Sequence, residues 1–329
     1  MSRRHRYRNP WPGTVEHGVG SVLRWAVQRR RTPPAPDSPA SSFPGATAAF
    51  RAPRALQGEL TVTWVGHATT LLQLGPLNVL TDPMWSDRAS PISFAGPRRK
   101  VPPGVRFEDL PSIDLVLLSH DHYDHLDTPT VRRLLKHSPD VRWAVPVGVG
   151  RQLRKLGVTA VGEHGWWDRE VASDIGVTVA CTPARHFSGR TPWGRNRSLW
   201  SGWVVQAHGR RVYFAGDTAW HPDFGEIARR FGPFDVTLIP IGAYSPRWMM
   251  SPVHMDPPEA LQAYQSIADV HASSGWPPPV MVPIHWGTFR LSDEPLDEPP
   301  RRLTDLWHDA ALPDDVLWLL RHGETRRGG

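Results

Sequence analysis

Short apolar and β-branched runs, each ended by a polar turn, recur along the chain from residue 59 onward. Runs of this kind are typical of buried β-strands, and they cover 59–65, 71–74, 77–81, 113–119, 176–183, 210–215, 235–241 and 279–284. Between them, apolar residues at helical spacing predict helices over 128–137, 149–156, 223–231 and 257–270. Strands that alternate with helices in this way indicate an α/β fold.

One of these strands leads directly into the segment 120–125, which reads His-Asp-His-Tyr-Asp-His. Its three imidazoles and two carboxylates are ligand types that divalent metals such as zinc prefer. In an extended segment His120 and His122 share one face, whereas Asp124 and His125 follow the turn and can reach a second metal. Groups of this kind resist burial unless they are paired or bound to metal. The segment therefore predicts a metal site.

Three further ligand-type residues follow other predicted strands. His186 comes after the run at 176–183, Asp217 after the run at 210–215, and His285 after the run at 279–284. A lone His or Asp after a strand is usually a turn or cap residue, so each is weak evidence by itself. Because the same arrangement recurs three times, we predict that these residues complete a site with two metals.

The order of these candidates resembles that of the metallo-β-lactamase superfamily of hydrolases. A closer similarity is to the subfamily of the N-acylphosphatidylethanolamine-hydrolysing phospholipase D and its bacterial relatives. That similarity is carried by the segments 9–12, 63–69, 80–86, 96–99, 165–168, 183–190 and 284–289. Asp121 is a departure, because members of that subfamily often have Asn there, but the position is not a ligand. The resemblance implies an α/β fold built as a four-layer αβ/βα sandwich of metallo-β-lactamase type.

The resemblance also implies how the candidates divide between two zinc ions. One ion would be held by three imidazoles, the other by a carboxylate and two imidazoles, and one carboxylate would bridge both. The first ion would be held by His120, His122 and His186, and the second by Asp124, His125 and His285. The bridging carboxylate would be Asp217. The nucleophile would be a hydroxide shared by the two ions. Iron or manganese in place of zinc is left open, since availability and geometry decide that choice.

Four residues in or near these motifs invite further functional roles. Asp124 can orient the nucleophile or carry a proton to the leaving oxygen. His67 either supports a metal ligand, faces the substrate, or is a structural histidine. For Asp82 we predict a hydrogen bond to a ligand imidazole, because metal-bound His usually donates its other N–H to an outer partner. Arg190 either binds a phosphate or lies solvated at the surface. We take Asp124 and His67 as the catalytic candidates.

Composition changes mainly at the N-terminus. The chain of 329 residues has a formal net charge of +6 and one cysteine, Cys181, which lies in an apolar run and is predicted to be a core residue. Residues 1–57 are Arg-rich and then rich in Pro and Ser, so we predict an extension over 1–57 and a metallo-β-lactamase-like catalytic domain over 58–329. No apolar stretch is long enough for a transmembrane helix or follows the first arginines as a signal would.

These features set the expected location and partners. A cytoplasmic location is the default. The basic run 29–31 is either a solvated tail or a contact with an anionic membrane at its inner face, where each basic residue contributes about 1 kcal/mol. No nucleic-acid-binding module is recognisable, so nucleic acid is not an expected partner. The oligomeric state is open.

The function that follows is metal-dependent hydrolysis of a phosphodiester such as an N-acylated phospholipid. An alternative within enzymes is hydrolysis of a lactone or other carboxylic ester by the same hydroxide. A non-catalytic metal-binding protein is the remaining alternative. It predicts a damaged ligand set, whereas every candidate position here carries a ligand-type residue.

Overall fold

The computed structural model describes residues 6–12, 17–191 and 193–328. Its α-helices are α1 (Val19–Arg31), α2 (Thr128–His137), α3 (Gly150–Lys155), α4 (Phe224–Phe231), α5 (Arg247–Met250), α6 (Pro257–Ser273) and α7 (Glu298–Asp309). Its strands are β1 (Leu60–Gly66), β2 (Thr69–Leu74), β3 (Leu77–Thr81), β4 (Leu115–Leu117), β5 (Arg142–Pro146), β6 (Val161–His164), β7 (Arg169–Ala172), β8 (Val177–Thr182), β9 (Gly202–Ala207), β10 (Arg210–Phe214), β11 (Val236–Pro240), β12 (Val280–Ile284) and β13 (Thr325–Gly328).

The strands form two mixed sheets. The first has the order β13-β1-β2-β3-β4-β5-β6 and the second the order β12-β11-β10-β9-β8-β7. In the first sheet β1, β2 and β3 pair antiparallel, and the pairs from β3 to β6 are parallel. In the second sheet β10, β11 and β12 are parallel neighbours. Parallel neighbours end at the same edge of a sheet, and that edge carries the candidate site.

Three apolar clusters show how the sheets and helices are layered. The central cluster joins the facing sides of both sheets, with Val62 and Leu72 from the first and Val205 and Phe214 from the second. A second cluster packs α2 and α3 on the outer side of the first sheet. A third packs α4, α6 and α7 on the outer side of the second sheet. The order helix, sheet, sheet, helix confirms the predicted four-layer αβ/βα sandwich.

Local chemistry explains where individual helices begin. α6 starts with a capping box in which the Asp256 carboxylate accepts from the Glu259 backbone N–H and the Glu259 carboxylate accepts from the Asp256 N–H. Pro257 follows at the first helical position, where its missing N–H costs nothing. The four predicted helices are confirmed with small shifts at their ends, and α2 has the predicted bounds. The helices α1, α5 and α7 and the strands β5, β6, β7, β9 and β13 were not predicted.

Described residues of the predicted extension contact the catalytic part of the chain. In α1, the Trp25 indole N–H donates to the Asp293 carboxylate at 2.8 Å, and the Arg29 guanidinium pairs with the same carboxylate at 3.0 Å. The boundary between residues 57 and 58 remains a prediction, and Arg3 and Arg4 lie outside the described residues. Within the described ranges, no helix combines the length and apolar character that crossing a lipid bilayer requires.

Candidate metal centre

The structure brings together all the site residues that were predicted from separate parts of the sequence. Each lies just beyond the end of a strand. His67 follows β1, the segment 120–125 follows β4, His186 follows β8, Asp217 follows β10 and His285 follows β12. The ligand atoms fall into overlapping groups, and within each group all of them lie within 4.8 Å of one another. Two of these groups are His120, His122 and His186, and Asp124, His125, His285 and His67.

In the first group, three imidazole nitrogens converge. His122 Nδ1 lies 2.7 Å from His120 Nε2 and 3.2 Å from His186 Nε2. His120 and His186 each use the other ring nitrogen, Nδ1, for a separate contact. His120 Nδ1 contacts Ser119 Oγ at 2.9 Å, and His186 Nδ1 contacts the Val253 carbonyl at 2.9 Å. These outer contacts orient the rings and leave one nitrogen of each facing the shared centre.

The second group lies next to Asp217, which is not itself a member of that group. Asp217 Oδ2 lies 3.1 Å from His125 Nε2 and 3.2 Å from His285 Nε2, and it is also 3.8 Å from His186 Nε2 in the first group. Asp124 Oδ2 lies 3.2 Å from His125 Nε2 and 3.6 Å from His285 Nε2. Asp217 therefore lies between the two groups and touches both.

Several atoms of this cluster fit a bound cation better than a hydrogen-bonded core. The Nε2 atoms of His125 and His285 and the Oδ1 atom of Asp217 are buried and make no hydrogen bond of good geometry among the described residues, although Asp217 Oδ2 lies within 3.2 Å of both nitrogens. A buried polar atom left without a partner costs about 1–3 kcal/mol. Imidazole and carboxylate groups are also the donor types that divalent metals bind in hydrolases. The residues present thus fit the metal ions expected for such a site.

The electrostatics of the two groups differ. Burial, reinforced by neighbouring imidazoles, lowers the pKa of His186 to about 3, and burial lowers the pKa of His122 to about 4. Neutral imidazoles are the metal-binding form. At His285 burial acts in the same direction, but Asp217 and Asp124 outweigh it and raise the pKa to about 9. The carboxylates therefore favour positive charge where the orphaned nitrogens meet, which is the field that a metal cation requires.

Backbone geometry at the strand ends brings these side chains together. His67 and His285 have φ values of 56° and 64°, in the left-handed region that non-glycine residues rarely adopt. Gly216 precedes Asp217 with a φ of 64°, and a Cβ there would lie 2.6 Å from the Ser201 carbonyl oxygen. Strained conformations of this kind concentrate at functional sites, where surrounding structure over-determines them.

Two predicted residues make contacts that orient others. The Asp82 carboxylate is fully buried and accepts from His125 Nδ1 at 2.6 Å, which confirms the predicted hydrogen bond to a candidate ligand. It also accepts from Ser119 N at 2.7 Å. His67 Nε2 lies 2.9 Å from Asp124 Oδ2, and burial is the main reason why the pKa of His67 falls to about 3. A neutral His67 that donates from Nε2 holds the Asp124 carboxylate in place.

Arg190 contacts the loop that carries the segment 120–125. Its guanidinium donates to the carbonyl oxygens of Leu126 at 2.7 Å and Asp121 at 3.0 Å, and it stacks on the Tyr123 ring. Because these partners all belong to the loop that carries the first four candidate ligands, Arg190 holds that loop in place.

His254 belongs to the cluster and was missed. Its Nδ1 lies 4.0 Å from Asp217 Oδ2 and has no hydrogen-bond partner among the described residues, and its ring centre is 5.0 Å from that of His186. It groups with His186 and Asp217 as a set that could hold a metal. His254 lies in the loop before α6 and follows no strand, so the strand-end pattern that revealed the other residues does not reveal it.

Comparisons with known proteins agree with this geometry. The family model described as β-lactamase superfamily domain matches residues 77–286. The chain is 44% identical over 283 residues to an uncharacterised protein of Mycobacterium tuberculosis, covering 84% of this chain and 71% of that one. It is 40% identical over 256 residues to the N-acyl-phosphatidylethanolamine-hydrolyzing phospholipase D 1 of Caenorhabditis elegans, covering 75% and 69%.

Among solved structures, the fold is similar to that of Igni18, a metallo hydrolase from the archaeon Ignicoccus hospitalis. The TM-score is 0.61 at 20% identity, covering 82% of this chain and 99% of that one. At that identity the likeness concerns the fold alone, and it agrees with the two facing sheets described above. Together with the family match and the His/Asp cluster at the strand ends, these similarities show that the chain belongs to the β-lactamase superfamily and is a metal-dependent hydrolase.

Proposed function

We propose that this protein is a dinuclear zinc hydrolase that cleaves a phosphodiester of an N-acylated phospholipid. The observation that carries the dinuclear part is the position of Asp217, whose Oδ2 lies 3.1 Å from His125 Nε2 and 3.8 Å from His186 Nε2. A carboxylate between two sets of convergent ligand atoms is the arrangement that a pair of divalent ions requires.

In this proposal three residues would hold each ion, and one further residue would be shared by both. The first set is His120, His122 and His186, the second is Asp124, His125 and His285, and the shared ligand is Asp217. When bound there, the ions would supply Lewis acidity and would allow water to act as a nucleophile near neutral pH. Zinc suits a site of imidazole and carboxylate donors.

The remaining chemistry falls to Asp124 and His67. The Asp124 side chain is 13% exposed, whereas those of His67, His125, His285 and Asp217 are at most 2% exposed. Asp124 is therefore the carboxylate through which a proton can pass between the site and the solvent. His67 holds Asp124 Oδ2 through the 2.9 Å contact and fixes the carboxylate for that task. We assign Asp124 to proton transfer and His67 to its orientation.

The substrate class rests on two supports. The first is the 40% identity to a relative that is named for hydrolysing N-acyl-phosphatidylethanolamine. The second is the outer face of α1, where Val22, Leu23 and Val27 are 49%, 62% and 49% exposed. The helix carries basic residues in its last turn and no acidic residue in its first turn. An apolar face bordered by arginines suits binding to an anionic lipid surface.

Contacts along the chain link α1 to the metal site. The Trp248 indole N–H in α5 donates to the Gln28 side chain of α1 at 3.0 Å. The segment after α5 leads to Val253, whose carbonyl holds His186 Nδ1 at 2.9 Å. A membrane bound by α1 would therefore lie close to the metal site, and we propose that peripheral contact with an anionic membrane delivers the lipid substrate.

The test begins with the metal content of the purified protein, followed by turnover of four substrates. These are bis(p-nitrophenyl) phosphate, vesicles containing an N-acylphosphatidylethanolamine, a simple lactone and a β-lactam. We expect about two zinc ions per chain, phosphodiester turnover, and preference for the lipid. Turnover of the lactone alone would refute the phosphodiester assignment, and a stoichiometry of one would refute the dinuclear site.

A matched pair of variants tests the membrane surface. Leu23 on α1 and Leu56 outside it are 62% and 63% exposed, so Leu23→Glu and Leu56→Glu alter equally accessible leucines. We expect Leu23→Glu to reduce sedimentation with anionic vesicles and turnover of vesicle lipid, while turnover of bis(p-nitrophenyl) phosphate is unchanged. Equal effects of the two variants would remove α1 from the proposal.

A further inference from the structure

The segment 9–12, Asn-Pro-Trp-Pro, crosses the loop that carries His186, although Asn9 and His186 are 177 residues apart in sequence. Asn9 Nδ2–H donates to the His186 carbonyl at 2.9 Å, and Asn9 Oδ1 accepts from the His186 backbone N–H at 3.3 Å. One side-chain amide thus pairs with both backbone groups of a single residue, as a neighbouring strand would. No other described residue bonds those two groups.

The backbone before His186 is paired by other means. The Trp200 indole N–H donates to the Ala184 carbonyl at 2.9 Å, and the Ala219 N–H donates to the Arg185 carbonyl at 2.8 Å. At residue 186 the backbone N–H and C=O are instead paired with the side-chain amide of Asn9. Since His186 is 1% exposed, loss of Asn9 would leave a buried N–H and a buried C=O without partners.

Asn9 is itself held in place on three sides. Its Oδ1 also accepts from the Trp200 indole at 3.0 Å. On one side of it the Tyr7 N–H donates to the Asn196 carbonyl at 2.8 Å, and on the other the Trp11 ring stacks on His221 with ring centres 4.4 Å apart. A side chain fixed in this way restrains the backbone that it contacts.

We propose that Asn9 is a positioning residue that fixes the backbone of His186 and thereby maintains the affinity of the first metal ion. This proposal rests on the dinuclear site proposed above. The His186 ring is oriented from its far side by the Val253 carbonyl, and Asn9 fixes the backbone from which the ring projects. Groups that orient ligands in this way typically change metal affinity about 10–100-fold when they are removed.

The effect is expected at one metal only. His186 belongs to the group with His120 and His122, whereas Asn9 makes no contact with the other ligand group among the described residues. Simple loosening of the fold would weaken both metals alike. Selective loss of one equivalent is therefore the signature that separates positioning from a general structural role.

The experiment follows zinc release from the full chain to a chromogenic chelator, together with calorimetric unfolding of the metal-free protein. The variants are Asn9→Ala, which removes all three contacts, and Asn9→Asp, which keeps the acceptor but places a carboxylate against the His186 carbonyl. The control is Gln28→Ala, another amide of the N-terminal segment, whose partner is Trp248. We expect both Asn9 variants to release one equivalent about tenfold faster or more, with the other unchanged, and Gln28→Ala to behave as wild type.

The outcomes are distinct for the two proposals. Wild-type rates in Asn9→Ala, or equal acceleration of both equivalents, would overturn the role of Asn9. If the wild-type protein binds a single ion, the dinuclear proposal fails, yet faster release of that ion from Asn9→Ala would still support positioning through His186. Unchanged release of that single ion would overturn it.

Discussion

Asp82→Asn is the substitution that most directly tests how the metal cluster is supported. Asp82 Oδ2 accepts from His125 Nδ1 at 2.6 Å, and Oδ1 accepts from Ser119 N at 2.7 Å. Asparagine keeps the shape and one acceptor, but its amide nitrogen or uncharged oxygen replaces the carboxylate opposite His125. A hydrogen bond to a charged group contributes about 1.5–3 kcal/mol. Because each 1.4 kcal/mol is about a tenfold change in a binding constant, metal affinity should fall about 10–100-fold.

The assay measures metal per chain by mass spectrometry after dialysis against graded chelator concentrations, and turnover of bis(p-nitrophenyl) phosphate at saturating zinc. We expect Asp82→Asn to lose metal at a lower chelator concentration, with activity partly restored by added zinc. Restoration by zinc is the sign of weakened binding, whereas a misfolded site would stay inactive at every zinc concentration.

Asp114→Asn is the matched control. Asp114 also accepts from a backbone N–H, that of Asn78 at 2.8 Å, and it pairs with Arg54, but it contacts no member of the metal cluster. We expect this variant to keep wild-type metal retention. If Asp82→Asn behaves like Asp114→Asn, the reasoning that Asp82 supports a ligand imidazole is refuted.

Three other substitutions or treatments have definite expected outcomes. His122→Ala should abolish hydrolysis and lower bound metal in a folded protein, and full activity by the turnover assay would contradict the dinuclear assignment. Gly216→Ala should lower the metal content, and it should lower the free energy of unfolding by about 1–3 kcal/mol, because the added Cβ would lie 2.6 Å from the Ser201 carbonyl oxygen. An unchanged unfolding temperature in calorimetry would contradict this expectation. Burial raises the pKa of the Cys181 thiol, so Ellman's reagent should detect one thiol only after unfolding.

Much of the fold could be predicted because its strands and helices are recorded in local patterns. The runs at 210–215 and 279–284 are apolar because their strands are buried, and both appear within a residue of the predicted bounds. Two of the elements that were missed, α1 and β13, lack such a pattern. α1 attaches through Trp25 and Arg29 and has no apolar stripe facing the core. β13 has the polar sequence Thr-Arg-Arg-Gly and is a strand because β1 offers it an open edge.

The candidate site divides in the same way. Its candidate ligands could be named because they follow strand ends and because the segment 120–125 is rich in residue types that bind metals. Asp82, which holds His125, was predicted, but the groups that hold His186 have no local signal. His186 depends on the Val253 carbonyl, 67 residues later, and on Asn9, 177 residues earlier, and neither contact has a characteristic spacing.

This difference has a physical cause. A metal ligand must be one of a few residue types, so its identity is visible in the sequence. A backbone carbonyl that orients a ligand belongs to every residue, and the amide of Asn9 is distinguished only by where the N-terminal segment lies. Sequence patterns therefore specify which atoms can bind metal, while long-range contacts decide how tightly those atoms are held. The metal affinity of this site should accordingly be more sensitive to substitutions in residues 7–11 than their distance along the chain suggests.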